Sequence, residues 1–277
     1  MPEENAPEAK SKKAAAGARA IWSGAIAFGL INIPVKLFSA TRENELSFNQ
    51  LRKSDHSRIK YLRVAAADGQ EVPYDQIVKG FEVEDGRYVV IEDEDIKNAS
   101  PKKTQSIEIL AFANEDEIDS VYFDKPYYLG PDKNAARAYS LLREALKQSK
   151  KVAVAKFILR TKENLAILKP EGDVLILNQI RYQSEVREAE GLNLPGADEV
   201  KASELDLALS LVNQLTQPFK PEQYEDTFTA EIRRIIDQKA EGLTPEVVGA
   251  APEQTKDDDL LASLRASIEA SKARVDA

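Results

Sequence analysis

The sequence has no cysteine and a single histidine among its 277 residues. A Cys/His zinc site, a disulfide framework, an iron-sulfur centre, a cysteine nucleophile and a histidine-rich metal centre are all excluded by that alone. No unbroken apolar run of membrane length is present either. The longest stretch, Ile21 to Val35, is interrupted by Ser23, Gly24, Gly29, Asn32 and Pro34, whereas a span needs about 20 consecutive apolar residues. The first 18 residues lack the apolar segment of a signal peptide, and their Lys10, Lys12 and Lys13 are offset by Glu3, Glu4 and Glu8. A cytoplasmic protein without membrane contact is the expectation. Also missing are a Walker phosphate loop, a nucleophile elbow and a zincin helix. No catalytic site, metal or cofactor is expected, and the absence of a catalytic constellation favours a binding protein.

What is present is globular: 43% hydrophobic and 31% charged residues, in a chain long enough to bury roughly 75% of its unfolded surface. Residues 1–18 hold Ala, Glu, Lys and Pro with almost nothing large and apolar, and read as a flexible leader. Gly24, Gly29 and Pro34 among Trp22, Ile26, Phe28, Leu30, Ile33 and Val35 suit strands with close backbone approach. Further strands are predicted at Arg58–Val64, Phe81–Val83, Tyr88–Ile91, Ser106–Ala113, Val121–Leu129, Val152–Arg160, Leu165–Leu168 and Val174–Ile180. Many short strands with turn signals between them indicate a barrel or sandwich.

Helical spacing of three and four appears at Ala135, Tyr139, Leu142 and Leu146, at Leu205, Leu209, Val212 and Leu215, and at Tyr224, Phe228, Ile232, Ile235 and Ile236. A Gly, Pro and Ala-rich linker at 242–256 precedes a terminal amphipathic helix at 257–277, striped by Leu260, Leu261, Leu264 and Ile268. Asp257, Asp258 and Asp259 fall where a helix dipole favours negative charge.

Charge is unevenly distributed, and that matters more than the net value of −9. Residues 19–63 carry eight Lys/Arg against three acids, and residues 132–169 carry ten against three; residues 68–95 invert this with ten acids against Lys79 and Arg87. A binding footprint for a polyanion is local, so an acidic chain can still hold a basic groove. The run Glu92-Asp93-Glu94-Asp95 reads as a solvated turn or helix start rather than a metal site through Asp93 and Asp95. His56 lies in a polar loop between basic residues, with no partner that would orient a general base.

From Arg19 to Thr41 the order Arg-Ala-Ile-Trp-Ser-Gly-Ala-Ile-Ala-Phe-Gly-Leu-Ile-Asn-Ile-Pro-Val-Lys-Leu-Phe-Ser-Ala-Thr resembles the opening signature of the bacterial Ku family. The resemblance continues through Ser47-Phe48-Asn49-Gln50-Leu51, Arg58-Ile59-Lys60-Tyr61, Asp68-Gly69-Gln70-Glu71-Val72 and Val78-Lys79-Gly80-Phe81-Glu82. It extends on through Gly86-Arg87-Tyr88-Val89-Val90, Ile118-Asp119-Ser120-Val121-Tyr122-Phe123, Pro126-Tyr127-Tyr128-Leu129 and Leu141-Leu142-Arg143-Glu144-Ala145-Leu146.

This resemblance covers about residues 19–240. It implies a mixed, β-rich fold: a β-barrel core with an extended dimerisation and DNA-cradling arm at 19–194 (the arm about 45–105), then C-terminal helices from 195–241. It further implies a ring-shaped homodimer threaded by double-stranded DNA ends in non-homologous end joining, associated with the nucleoid, that recruits ATP-dependent DNA ligase D through its C-terminal region. The Lys-rich tail of some members has no counterpart here, and nothing is carried over from it.

A protein that accepts any break cannot read base edges and must hold phosphate with Lys and Arg. Arg52, Lys53, Arg58, Lys60 and Arg63 are the candidate DNA contacts in the arm, with Lys36 and Arg42 as further choices. Leu260, Leu261, Leu264 and Ile268 are the candidate ligase contacts. Two other readings stay open. One is a scaffold of the same fold that binds protein and no DNA; the other is a nuclease or phosphatase built on the acidic cluster.

Overall fold

The computed structural model describes residues 19–42, 46–99, 105–196, 200–244 and 260–275. The expectations for the leader, most of the linker and Asp257 to Asp259 lie outside the described residues. The chain divides into two compact units. The first runs to Glu188, residues 45–47 excepted, and the second begins at Ala189.

The first unit is built on a closed seven-stranded barrel. Its strands are β1 (Trp22–Phe28), β2 (Ile31–Ser39), β5 (Ser106–Ala113), β6 (Phe123–Pro131), β7 (Val152–Leu159), β8 (Lys162–Glu171) and β9 (Val174–Ile180), in the ring order β1-β2-β6-β9-β8-β7-β5. All neighbours are antiparallel except β1 and β5, which close the ring through a short parallel pairing of Ala25, Ile26 and Ala27 with Ser106, Ile107 and Glu108. Side-chain alternation explains which face turns inward. On β2, Ile33, Val35 and Leu37 are buried while Asn32, Pro34 and Lys36 are exposed. Gly24 is required by close approach: a Cβ there would lie 2.2 Å from the carbonyl oxygen of Gln105 and 2.3 Å from the Trp22 ring.

Helix α2 (Ala136–Ser149) buries Tyr139, Leu142 and Leu146 in the same core as the inward barrel residues Ile26, Leu129, Phe157, Leu168 and Leu177. The Tyr139 hydroxyl donates to the Leu129 carbonyl and accepts from the Leu175 amide, both at 2.7 Å, tying the helix to β6 and β9. Its burial pushes the phenol pKa upward. A second apolar cluster, Val152, Ile167 and Ile180, packs with Ile118, Tyr122, Phe123 and Leu165. Several strands are therefore apolar on both faces, which is why their sequences read as continuous runs.

Between β2 and β5 the chain leaves the barrel for some 65 residues. This excursion contains the hairpin β3 (Lys79–Glu84) and β4 (Arg87–Ile91), then α1 (Asp93–Ala99). The acidic run does begin a helix: the Glu92 amide donates to the Asp95 carboxylate at 2.9 Å, and Asp93 pairs with Lys79 at 2.8 Å. No group of three metal-ligating side chains occurs among the described residues.

The strand expected at Arg58–Val64 is not formed. Only isolated bridges, Leu51 to Arg58 and Val64 to Glu71, involve its ends. Ile59, Tyr61 and Leu62 are all exposed. Alternating side chains specify a strand only where a neighbouring strand and a core receive them. Here local hydrogen bonds from backbone amides to the Asp55 and Asp68 carboxylates compete successfully for the chain.

The second unit holds α3 (Ala202–Leu215), α4 (Thr227–Ala240) and α5 (Leu260–Val275). Asp226 caps α4, accepting from the Thr229 amide at 2.9 Å. Helix α5 packs on α3, with Leu264 and Ile268 half-buried and the Gln214 amide reaching the Ile268 carbonyl at 3.5 Å. No residue of α3 or α4 is buried. None of the described helices is long and apolar enough to cross a membrane.

Candidate nucleic-acid interface

The segment carrying most of the candidate DNA contacts folds into two tight loops of the same construction. In the first, the Arg52 amide donates to the Ser57 carbonyl, the His56 amide to the Arg52 carbonyl and the Ile59 amide to the Gln50 carbonyl, at 2.9, 2.9 and 3.2 Å. In the second, Ala65 donates to Gln70, Gly69 to Ala65 and Val72 to Arg63, at 2.8, 2.9 and 2.8 Å. Every donor and acceptor is displaced by 13 residues. Asp55 accepts from the Ser57 amide at 3.1 Å, as Asp68 does from the Gln70 amide at 3.0 Å. The sequence signal was the pair Asp55-His56-Ser57 and Asp68-Gly69-Gln70. Asp-Gly announces a turn, whereas Asp-His does not, so only the second was legible.

Both loops turn through a left-handed residue, His56 at φ 55° and Gly69 at φ 71°. Glycine adopts that conformation freely, while an L side chain pays about 1–2 kcal/mol.

The two loops carry opposite charge. The first, residues 50–59, holds Arg52, Lys53 and Arg58 with one acid; the second, residues 63–72, holds Asp68 and Glu71 with Arg63 at its entrance as its one cation. Arg52 is committed internally: its Nε donates to Asp55 Oδ1 at 2.9 Å and its Nη2 pairs with Oδ2. The guanidinium, with Ser57, lowers the Asp55 pKa to about 2 and keeps the carboxylate charged. Arg63 lies over the Tyr74 ring, 5.3 Å from its centroid, a cation–π contact that leaves its charge intact. Lys53, Arg58 and Lys60 are exposed and make no ion pair among the described residues. The arm thus brings Lys53, Arg58, Lys60 and Arg63 into one short stretch as available cations.

Lys36 and Arg42 do not join them. Lys36 points outward from β2 with its ammonium 3.9 Å from Asp132, and Arg42 lies exposed just past the end of β2. The second basic segment is less cationic than its composition implies. Arg143 meets Glu144 at 2.9 Å, Lys156 meets Glu163 at 2.9 Å, Lys162 meets Glu185 at 3.0 Å, and Lys169 meets Glu115. Lys133, Arg137, Lys147, Lys150 and Arg160 remain exposed on the first unit; the charge count of that segment pointed to them, but individually they were not singled out. A polar depression lined by Asp124, Asn164, Gln179 and Arg181 is closed by its own pairs, Arg181 with Asp124 at 3.3 Å among them.

The arm also exposes apolar surface. Not one described residue of 46–96 is buried. In the β3–β4 hairpin Phe81 pairs with Val89 and Lys79 with Ile91, so that Phe81, Val89 and Ile91 share one face with Lys79, before the register shifts between Glu82 and Glu84. Phe81 is 65% exposed. A two-stranded hairpin is marginal alone in water, and no covering layer for this one occurs among the described residues.

At the other candidate site, Leu264 and Ile268 are partly covered by α3, and Leu260 and Leu261 are more exposed. The four residues named as ligase contacts are thus split between a covered and an open part.

Comparison with known proteins matches residues 27–209 to the Ku70/Ku80 beta-barrel domain. Relatives named non-homologous end joining protein Ku include one from Opitutus terrae, 44% identical over 90% of this chain and 91% of its own. One from Anaeromyxobacter sp. (strain K) is 42% identical over 94% and 88% of the two chains. Another from Coxiella burnetii is 40% identical over 91% and 94%.

Proposed function

The chain belongs to the Ku family, and on that premise we propose that it binds ends of double-stranded DNA without regard to sequence, as a ring-shaped homodimer, in non-homologous end joining. The observation that carries this reading is the arm. Its first loop and the link beyond it present Lys53, Arg58, Lys60 and Arg63 with charge available to phosphate, while its hairpin presents an exposed apolar face that no described residue covers. The cations suit a ligand recognised through its backbone. The apolar face suits a second copy of the same chain, related by a two-fold axis so that each arm is covered by its partner. A closed ring of two chains admits a free duplex end and excludes covalently closed DNA by topology.

A gel shift comparing linear and circular duplexes tests this directly. Linear DNA of unrelated sequences should bind alike, and relaxed circles should not compete. With about six phosphates neutralised by the dimer, log K against log salt should have a slope of about −5, so that raising salt from 50 to 200 mM weakens binding roughly a thousandfold. Circles competing as well as linear DNA would remove the ring; binding indifferent to salt would remove the phosphate cradle.

We further propose that the C-terminal helix recruits the ATP-dependent ligase D, with Leu260 and Leu261 as the first contacts and the Leu264 and Ile268 face available once α5 leaves α3. A helix of 16 residues is marginal alone, and α3 is what holds it folded. Deleting residues 256–277 should leave dimer mass and DNA-end affinity within about twofold while removing most stimulation of the ligase. If the truncated protein stimulates ligation fully, recruitment resides elsewhere in the chain.

A further inference from the structure

The two arm loops share every backbone hydrogen bond, yet one turns through glycine and the other through histidine. At Gly69 a Cβ would meet nothing within 4 Å. The corner therefore projects a side chain into open solvent, and packing gives no reason to have one there. His56 occupies the equivalent corner at φ 55° and is exposed. Among the described residues no hydrogen bond, ion pair or ring contact reaches its imidazole. Asp55, the one acid on the loop, is occupied by Arg52 and Ser57. The strained backbone is thus not offset by any contact of the imidazole among the described residues, and strain retained without such a return points to a contact made outside the chain.

The chemistry of the loop identifies that contact. His56 stands between Lys53 and Arg58, both without an ion-pair partner, on a loop whose remaining acid is neutralised. An imidazole always carries at least one N–H donor, and a donor set among unpaired cations matches a phosphate oxygen. In the second loop, where Asp68 and Glu71 make the surroundings acidic, the corner is glycine. We infer that His56 is a phosphate-binding residue of the arm, donating an imidazole N–H to the DNA backbone beside Lys53 and Arg58. The inference rests on the duplex-binding reading above.

Two substitutions in the full-length protein test it. His56→Gly removes the imidazole and relieves the backbone, reproducing a loop that already exists at residues 63–72. His56→Ala removes the imidazole and keeps the strained L configuration. Affinity for a blunt linear duplex is read by fluorescence anisotropy at fixed salt, and dimer mass by light scattering. Both variants should stay dimeric, with His56→Ala unfolding at the wild-type midpoint and His56→Gly at or above it, and both should bind about tenfold more weakly with two copies per ring affected. Wild-type affinity in both variants overturns the inference. So does a weak His56→Gly beside a normal His56→Ala, which would assign the effect to loop stiffness. Loss of the dimer would assign the imidazole to the second chain and overturn it equally. Failure of the wild-type protein to bind linear duplex would instead sink the duplex-binding reading.

Discussion

Replacing Arg58 and Lys60 together with glutamate should weaken binding to linear DNA by at least on the order of a hundredfold at moderate salt. Each substitution turns an available cation into an anion, and a two-fold dimer repeats the change, so several phosphate contacts become repulsive at once. Folding should be unaffected. Both side chains are exposed, and neither makes an ion pair within the described chain. Arg58 contributes to the first loop through its backbone bridge to Leu51, which glutamate preserves. Residual binding should show a shallower salt dependence, because fewer counterions are released. A control at Arg52 should behave differently: Arg52→Ala frees Asp55 and opens the loop, acting through shape as well as charge. Unchanged linear-DNA affinity in the double variant would mean that the first loop is merely solvated and that the groove lies elsewhere.

Placing aspartate at Phe81 and Val89 should separate the dimer. The two residues face each other across the β3–β4 hairpin on the apolar side of the arm. If a second chain covers that side, each substitution removes an apolar anchor and puts a charge where water is excluded. Anchors of this kind are worth about 2 kcal/mol or more each, so the pair should raise the dimer dissociation constant roughly a thousandfold or beyond. Light scattering at micromolar protein should then report the mass of one chain. End binding should fall with it, since half a ring encircles nothing. A retained dimer of wild-type stability would place the interface on another face and leave the hairpin without an assigned cover.

The barrel and α2 were legible because their patterns have a core to answer to. Leu142 and Leu146, and Ile33, Val35 and Leu37, recur at the spacing their element requires and are the residues buried. The arm has no such correspondence. Its apolar residues at 59–64 alternate like a strand, but no core lies beneath them, and two aspartates turn the chain into loops instead. The first loop escaped notice because its left-handed corner carries histidine, which gives no turn signal.

The composition of the sequence excluded cysteine and histidine metal chemistry, its order marked the Ku family, and its periodicities located the barrel strands and four of the five helices among the described residues. These are properties of neighbours in the chain, where residue type and spacing suffice. Which cations are available to a ligand was decided by the tertiary structure. Lys169 is taken by Glu115 across 54 residues and Lys162 by Glu185 across 23, and Leu264 and Ile268 are half-covered where α5 meets α3. Charge pairing and burial depend on distances in space between residues remote in sequence, and only folding sets those distances.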